Sequence, residues 1–325
     1  MYIRLIKAFD KEVLTTQTRN DIIITMIRTG KLNKGLIIVN AYEVLPAVQH
    51  MVDRLAAEFA ALKIEIEVKT NAEILSYIGS DGELYSADLQ DDFCIFLDKD
   101  LYTSHLLEQA GIRLFNSADA IEACDDKMLT YMRLLHFNIA MPKTVPGPLH
   151  YGIKNNEAFL TNLPKVIPFP IVCKEDYGSM GQNVYLAANA EDLKSIEQKI
   201  TLKPRLFQEL IKSSWGLDYR LIVIGGRFKV GMRRRSLTGD FRSNIALGGV
   251  GEAVQIPDEY IHAAERVAAI LKLDYCGVDL LEGLHGEPIL CEVNSNAFIQ
   301  GIEQVTKYNV AAEYAKYIYK QIYLM

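Results

Sequence analysis

Gly277-Val278-Asp279-Leu280-Leu281-Glu282, then a Gly283-Leu284-His285-Gly286-Glu287 turn, then Pro288-Ile289-Leu290-Cys291-Glu292-Val293-Asn294: the reading of this chain depends on this stretch. Two β-rich runs flank a glycine-marked turn, the pattern of a hairpin. Folding about the His285–Gly286 bond sets Asp279 opposite Glu292, and side-chain alternation puts Asn294 on the face of Glu292. Cross-strand neighbours have Cβ atoms about 4.5–5.5 Å apart, where like charges repel. Two carboxylates and an amide oxygen on one face suit a hard divalent cation, and Mg²⁺ takes one or two carboxylates together with substrate phosphates. The alternative is a solvated acidic hairpin.

Bulk composition bounds what such a site serves. At 325 residues the chain exceeds one ordinary domain and predicts two or three packed units. Half of its residues are apolar and 23% are charged, the balance of a soluble globular protein. A net charge of −6 argues against non-specific binding to nucleic acid. No apolar run approaches a membrane-spanning length, and no signal-peptide core follows Met1-Tyr2-Ile3-Arg4. The five cysteines, Cys94, Cys124, Cys173, Cys276 and Cys291, form an odd set without a Cys-x-x-Cys pair. The expectation is a cytoplasmic protein without disulfides, acting on no membrane.

From the hairpin outward, the pattern is α/β. Ile22-Ile23-Ile24-Thr25-Met26-Ile27 fits a strand or a buried helix segment equally. Leu36-Ile37-Ile38-Val39 is a buried strand, and Val48, Met51, Val52, Leu55 and Phe59 form one stripe of a helix from Pro46 to Leu62. Strands at Ile64–Val68 and Phe93–Leu97 and a helix around His105 complete a β-α-β alternation, which predicts a small parallel sheet ending near Phe115. No Gly-x-Gly-x-x-Gly follows these strands. A helix is expected from Asn116 to Leu135 with Ser117 as N-cap. Prolines from Pro142 to Pro170 mark a loop-rich entry to a second unit. Strands follow at Ile171–Lys174, Val184–Leu186, Arg205–Glu209 and Asp218–Arg235, the last a hairpin about Gly225–Gly226. Helices from Glu259 to Leu271 and from Val310 close the chain.

Three further elements concern phosphate and nucleotide. Lys174 ends a strand and precedes Gly178-Ser179-Met180-Gly181, where glycines let backbone N–H groups approach an anion. The loop lacks the Gly-Lys-Ser/Thr of a Walker A motif, and a surface hairpin is the alternative. Gln208-Glu209-Leu210-Ile211 offers a strand end to a purine, with Asp218 beyond it for ribose hydroxyls; a plain core strand is the alternative. The Gly225–Gly226 fold puts Asp218 opposite Arg233 and Gly216 opposite Arg235, with Arg234 on the other face. With Asp240, Arg242 and Asn244 beyond, the arginines read as a phosphate clamp or as a charged edge-strand guard.

In this order the segments closely resemble the ATP-grasp superfamily and, within it, the RimK-like carboxylate–amine ligases. The matching pieces are Asp126-Lys127, Lys174 with Gly178–Gly181, Gln208–Ile211, Gly216–Arg220, Arg234-Arg235, Gly239–Asn244, Gly277–Asp279, Glu292–Asn294 and Gly301–Glu303. The resemblance runs from Asn116 to Tyr319; the N-terminal third matches only in its βαβ character. It implies an α/β fold, α+β in the ATP-grasp part, in which an N-terminal parallel βαβ domain precedes two α/β subdomains clasping ATP. The expected units are residues 1–115, residues 116–204 with the glycine loop, and residues 205–325 with the metal site.

By resemblance, Lys127 and Lys174 contact the phosphates and the Gly178–Gln182 loop, including Ser179, Met180 and Gly181, closes over them. Gln208, Glu209, Leu210 and Ile211 hold adenine and Asp218 holds ribose. Asp279, Glu292 and Asn294 bind Mg²⁺, with Mn²⁺ as a substitute, and Arg235, with Arg234 and Asn244, stabilises the transferred phosphoryl group. The implied activity joins a small carboxylate to an amine, an amino acid or peptide-like molecule, through an acylphosphate. Phosphoryl transfer needs positioning and charge neutralisation rather than a covalent nucleophile, which suits these residue types. Two departures stand out: Asn183 replaces a third glycine, and Asn294-Ser295-Asn296-Ala297-Phe298 replaces the family's Asn-x-Ser-Pro-Gly beside the acceptor pocket. A catalytically silent ATP-binding regulator and a kinase that stops at phosphoryl transfer are the rival readings. Relatives are often dimers or tetramers, and subunit number stays open here. The six histidines show no metal-ligand spacing, and the tyrosines from Tyr314 to Tyr323 suggest a docked C-terminal helix.

Overall fold

The computed structural model describes residues 33–86, 91–150, 157–178, 181–245 and 248–324. The Ile22–Ile27 run and the loop residues Ser179 and Met180 lie outside them. Strands β1 (Asn33–Val39) and β2 (Ile64–Thr70) flank helix α1 (Pro46–Ala61) in the chain, and a small hairpin, β3 (Tyr77–Ile78) with β4 (Leu84–Tyr85), follows. Next come β5 (Phe93–Phe96), α2 (Leu101–Gln109) and β6 (Leu114–Phe115). The first sheet has the order β2-β1-β5-β6, all parallel. Met51, Val52, Leu55 and Phe59 of α1 pack with Ile37, Val39 and Ile95 on one face. Leu107 of α2 packs with Leu36, Ile38 and Phe96 on the other. The connections after β1 and β5 therefore part to opposite faces, the arrangement that opens a crevice at the carboxyl ends of an α/β sheet.

The expected helix from 116 to 135 is two helices, α3 (Ala118–Asp125) and α4 (Lys127–Arg133). Asp126 breaks them at φ −89° and ψ 105°, and its Oδ1 accepts from Leu129 N at 2.7 Å. An aspartate that caps a new helix outcompetes continuation of the old one. The break makes Lys127 the first residue of α4.

Strand β7 (Thr144–Pro146), helix α5 (Glu157–Val166), β8 (Ile171–Glu175), β9 (Val184–Ala187), α6 (Ala190–Ile200) and β10 (Arg205–Glu209) form the second unit. Its antiparallel sheet runs β7-β10-β8-β9, and Leu163, Leu193, Ile196 and Ile200 cover Ile171, Cys173 and Phe207. Strand β10 thus belongs by pairing with β8, on the far side of the expected break between residues 204 and 205.

The third sheet contains β11 (Leu217–Ile224), β12 (Arg227–Ser236), β13 (Gly249–Glu252), β14 (Tyr275–Glu282) and β15 (Pro288–Asn294), in the antiparallel order β13-β12-β11-β14-β15. Helix α7 (Asp258–Ile270) and α3 cover one face, where Leu221, Val223, Val278 and Leu290 meet Ala120, Ala264 and Val267. Helix α8 (Gln300–Thr306) precedes α9 (Val310–Tyr323), whose Tyr314 and Ile318 return to the core around Phe59 and Phe93.

Asn116, 1% exposed, ties the first sheet to the third. Its Nδ2 donates to Tyr275 O at 2.7 Å and Ser295 O at 2.9 Å. Its Oδ1 accepts from Asp274 N at 2.7 Å and Tyr275 N at 2.9 Å. Asn116→Ala leaves four backbone groups without this partner, so a stability loss of about 3 kcal/mol or more is expected in urea unfolding. A midpoint within error of wild type would show that water replaces the amide.

Candidate active site

The face of the third sheet opposite α7 carries the polar residues beside the part covered by α8 and α9, and two β-bulges decide which ones meet. In the β11–β12 hairpin the register shifts between Ile222 and Val223, so Asp218 pairs with Arg234 and Leu217 with Arg235. This corrects the expected pairing of Asp218 with Arg233: one extra residue on β12 turns every later side chain to the other face. In the β14–β15 hairpin a shift between Asp279 and Leu280 restores the expected pairing of Asp279 with Glu292, and Asn294 lies opposite Gly277. Arg220 stands opposite Asp279 across β11 and β14.

A buried four-member charge network results. Arg234 donates from Nε and Nη2 to Asp218 at 2.7 and 2.6 Å, and its Nη2 reaches Asp279 Oδ2 at 2.9 Å. Arg220 donates from Nε and Nη2 to the same Asp279 at 2.6 and 2.5 Å. A Cβ on Gly277 would lie 2.6 Å from Ala297 Cβ and 3.5 Å from Arg220 Cδ, so only glycine gives both side chains room. Burial pushes the Asp279 pKa up, but Arg220 and Arg234 more than offset it and hold the carboxyl below its ordinary value. Burial likewise works against the charge on Arg234, and Asp218 and Asp279 override it.

A cleft between the second and third sheets is lined by Lys127, Lys174, Gly178, Gly181, Gln208, Glu209, Leu210, Ile211, Asp218, Asn244 and Glu292, among others. Eleven of the residues proposed from sequence thus meet in one place. Lys127 Nζ donates to Asp176 O at 3.0 Å and Gly178 O at 2.9 Å, fixing the near end of the glycine loop. Burial lowers the Lys127 pKa, opposed by Glu292 and assisted by Lys174. Arg242 holds the far end, donating from Nη1 to Gly181 O at 2.9 Å while Asp240 grips its guanidinium. Asn183 adopts φ 54°, the positive angle that the substitution for glycine requires, and its Nδ2 bonds Glu175 Oε2 at 2.9 Å. Gln208 Nε2 donates to Thr144 Oγ1 at 2.9 Å, and Glu209 accepts from Lys143 N at 2.8 Å, which fixes the strand end facing the cleft. Asp218 lines the cleft with both oxygens turned to Arg234.

A larger cavity adjoins the cleft, and Gln182, Asn244 and Glu292 line both. Arg220, Arg234 and Asn294 line the larger one. Arg235 lines neither: its side chain is 56% exposed and its Nη2 donates to Glu252 Oε1 at 2.7 Å. Strand alternation therefore separates the adjacent arginines, and Arg220 takes the inward position that sequence reading gave to Arg235. Arg220 was legible by its two-residue spacing from Asp218; Arg242, read from sequence as part of a phosphate clamp, instead holds the glycine loop through Gly181 O.

The donor set fits a divalent cation. Glu292 has Lys127 Nζ at 4.0 Å as its ion-pair partner, and the buried Nδ2 of Asn294 has no hydrogen-bond partner among the described residues. Rotating that amide by half a turn would put its oxygen in that position, where it could accept a cation. Asp279 already receives three arginine contacts against about four lone-pair positions, which leaves it room for about one further contact. Among the described residues no group of three or more His, Cys, Asp and Glu side chains suits a metal ion, so a cation held here would need Asn294 and substrate oxygens to complete its shell.

A family model described as the RimK-like ATP-grasp domain matches residues 124–318. This chain belongs to that family. Over 221 residues, the RimK-like chain is 34% identical to beta-citrylglutamate synthase B of Homo sapiens, covering 68% of this chain and 56% of that protein. It is 36% identical to a probable alpha-L-glutamate ligase of Hydrogenovibrio crunogenus, covering 66% of this chain and 69% of that one. The chain thus spans little more than half the length of the human relative. A D-Ala:D-Ser ligase from Enterococcus faecalis superposes with a TM-score of 0.67 at 15% identity, covering 90% of this chain and 100% of that one, a likeness of fold. No helix among the described residues is long and apolar enough to cross a membrane.

Proposed function

We propose that this RimK-like chain is an ATP-dependent carboxylate–amine ligase. The observation that carries the reading is the junction at Gln182, Asn244 and Glu292, where a cleft bearing two lysines and a glycine loop opens into a second, larger cavity. A phosphoryl donor and its acceptor need such adjoining rooms. In the first step a carboxylate oxygen bonds to the γ-phosphorus of ATP and the β–γ bridging bond breaks, giving an acylphosphate and ADP. In the second an amine bonds to the acyl carbon, phosphate leaves, and the nitrogen loses a proton to give the amide. Bound Mg²⁺ supplies charge neutralisation on the phosphates. Lys127 and Lys174 orient the phosphates, the loop excludes water, and Arg220 and Arg234 present N–H groups on the acceptor side.

The names of the curated relatives, synthases and ligases, favour turnover over a silent regulator. We also propose three units along the chain, 1–115, 116–204 and 205–325, with Arg205–Glu209 joining the middle one by strand pairing. A reducing compartment such as the cytoplasm suits the free cysteines. The test is ADP release from ATP and Mg²⁺ that needs both a carboxylate and an amine, with hydroxylamine trapping the acyl group as a hydroxamate. ADP release unaffected by either substrate would overturn the ligase reading. Lys174→Ala is expected to reduce thermal stabilisation by ATP with little change in the ligand-free midpoint. Equal stabilisation of both proteins would remove Lys174 from the phosphate site.

A further inference from the structure

The larger cavity, about 880 Å³, runs from the junction to the carboxyl ends of β1 and β5, where Asn40, Glu43, Asp98 and Lys99 line it. Those ends are the switch point of the parallel sheet, the position at which open α/β sheets hold ligands. Its size falls in the usual small-molecule range of about 300–1,000 Å³. The chemistry of its lining is divided. Charge gathers at the inner end, around Arg220, Arg234, Glu292 and Asn294. The outer wall is apolar: Val48 and Met51 lie a turn apart on α1, Met232 lies on β12, Phe298 and Ile302 bracket the start of α8, and Ile245 lies beside Gly301 of that helix. A Cβ on Gly301 would stand 3.2 Å from Ile245 Cδ1, so that glycine leaves the isoleucine its place in the wall.

The polar rim is committed to itself. Asp98 receives Asn40 Nδ2 at 3.1 Å and Asn71 Nδ2 at 2.9 Å, and Lys99 is ion-paired with Asp125. Four carboxylates, Glu43, Asp98, Asp125 and Glu292, line the cavity against three cations, Lys99, Arg220 and Arg234, and each cation already has an acidic partner. Among the described residues lining it no cation is unmatched, so a second or third carboxylate, away from the lysines of the adjoining cleft, would meet the apolar wall and remain desolvated and unpaired.

We propose that the substrate held here is a monocarboxylic acid with an apolar body, such as an acylated aliphatic or aromatic amino acid, its carboxylate directed at the junction. Val48, Met51, Met232 and Phe298 select it against di- and tricarboxylic acids. The direction of the carboxylate rests on the ligase reading; the selection rests on the apolar wall and on the paired cations of the lining. The test is calorimetric binding, with a non-hydrolysable ATP analogue and Mg²⁺ present, of N-acetyl-leucine and N-acetyl-phenylalanine against N-acetyl-glutamate and citrate. The apolar pair is expected to bind at least tenfold more tightly. Phe298→Ala is expected to weaken that binding by about tenfold, and Val48→Lys to narrow the preference, with ATP-analogue binding unchanged in both variants. Equal or tighter binding of the polyacids, no binding of either class, or no effect of either substitution would overturn the proposal. Apolar binding followed by no ADP release with any amine or hydroxylamine would leave the selection standing and remove the ligase reading.

Discussion

Glu292→Gln is expected to abolish Mg²⁺-dependent ADP release while leaving the protein folded. The substitution keeps the shape of the side chain and removes the one carboxylate among the described residues that lines both the proposed nucleotide cleft and the proposed acceptor cavity. Metal-borne charge neutralisation is worth several kcal/mol at the transition state, so a loss on the order of 10³-fold is expected. The cost to folding is small because the ion-pair partner of Glu292 is Lys127 at 4.0 Å, with 22% of the glutamate side chain exposed. A contact of that kind contributes about 1 kcal/mol at most, a shift of a few degrees in thermal midpoint. Asp279→Asn would not separate the two effects, since Arg220 and Arg234 both depend on that carboxylate. Turnover by Glu292→Gln within tenfold of wild type would remove Glu292 from the metal set.

The architecture was legible wherever a local signal coincided with the tertiary one. The stripe on α1 and the continuous apolar run of β1 predicted a parallel βαβ unit, and Phe59 and Ile37 do meet in one core. The loop substitution at Asn183 was legible because its positive φ is a property of the residue itself. Register across the hairpins was not. Whether Arg234 or Arg235 faces inward depends on one bulged residue on β12, and the bulge leaves no mark in the short run Phe228-Lys229-Val230. The pairing of Asp279 with Glu292 came out as expected only because a bulge lies there too. The break at Asp126 was hidden for another reason: an aspartate flanked by helix formers reads as helix surface until its side chain is seen to cap the next turn.

Arg234→Met and Arg235→Ala test that division directly, and their effects should differ widely although the residues are neighbours. Arg234 is 4% exposed and contacts both Asp218 and Asp279. Methionine fills similar space but leaves Asp218 buried without its guanidinium and Asp279 with Arg220 alone; breaking a buried ion pair from one side costs about 3–5 kcal/mol. Arg235 shares Glu252 with Arg233 at an exposed edge, so Arg235→Ala is expected to stay within about 0.5 kcal/mol and to retain ADP release. The pH dependence has a fixed sign. The folded-state pKa of Asp279 lies below its unfolded value near 3.8, so its stabilising contribution is complete above that pH and fades as pH falls through the folded value. Removing Arg234 raises the folded pKa, so Arg234→Met should unfold in acid at a higher pH than wild type. Urea and acid midpoints measured for both variants decide the matter: an Arg234→Met protein indistinguishable from Arg235→Ala would mean that the buried carboxylates take their charge balance from elsewhere.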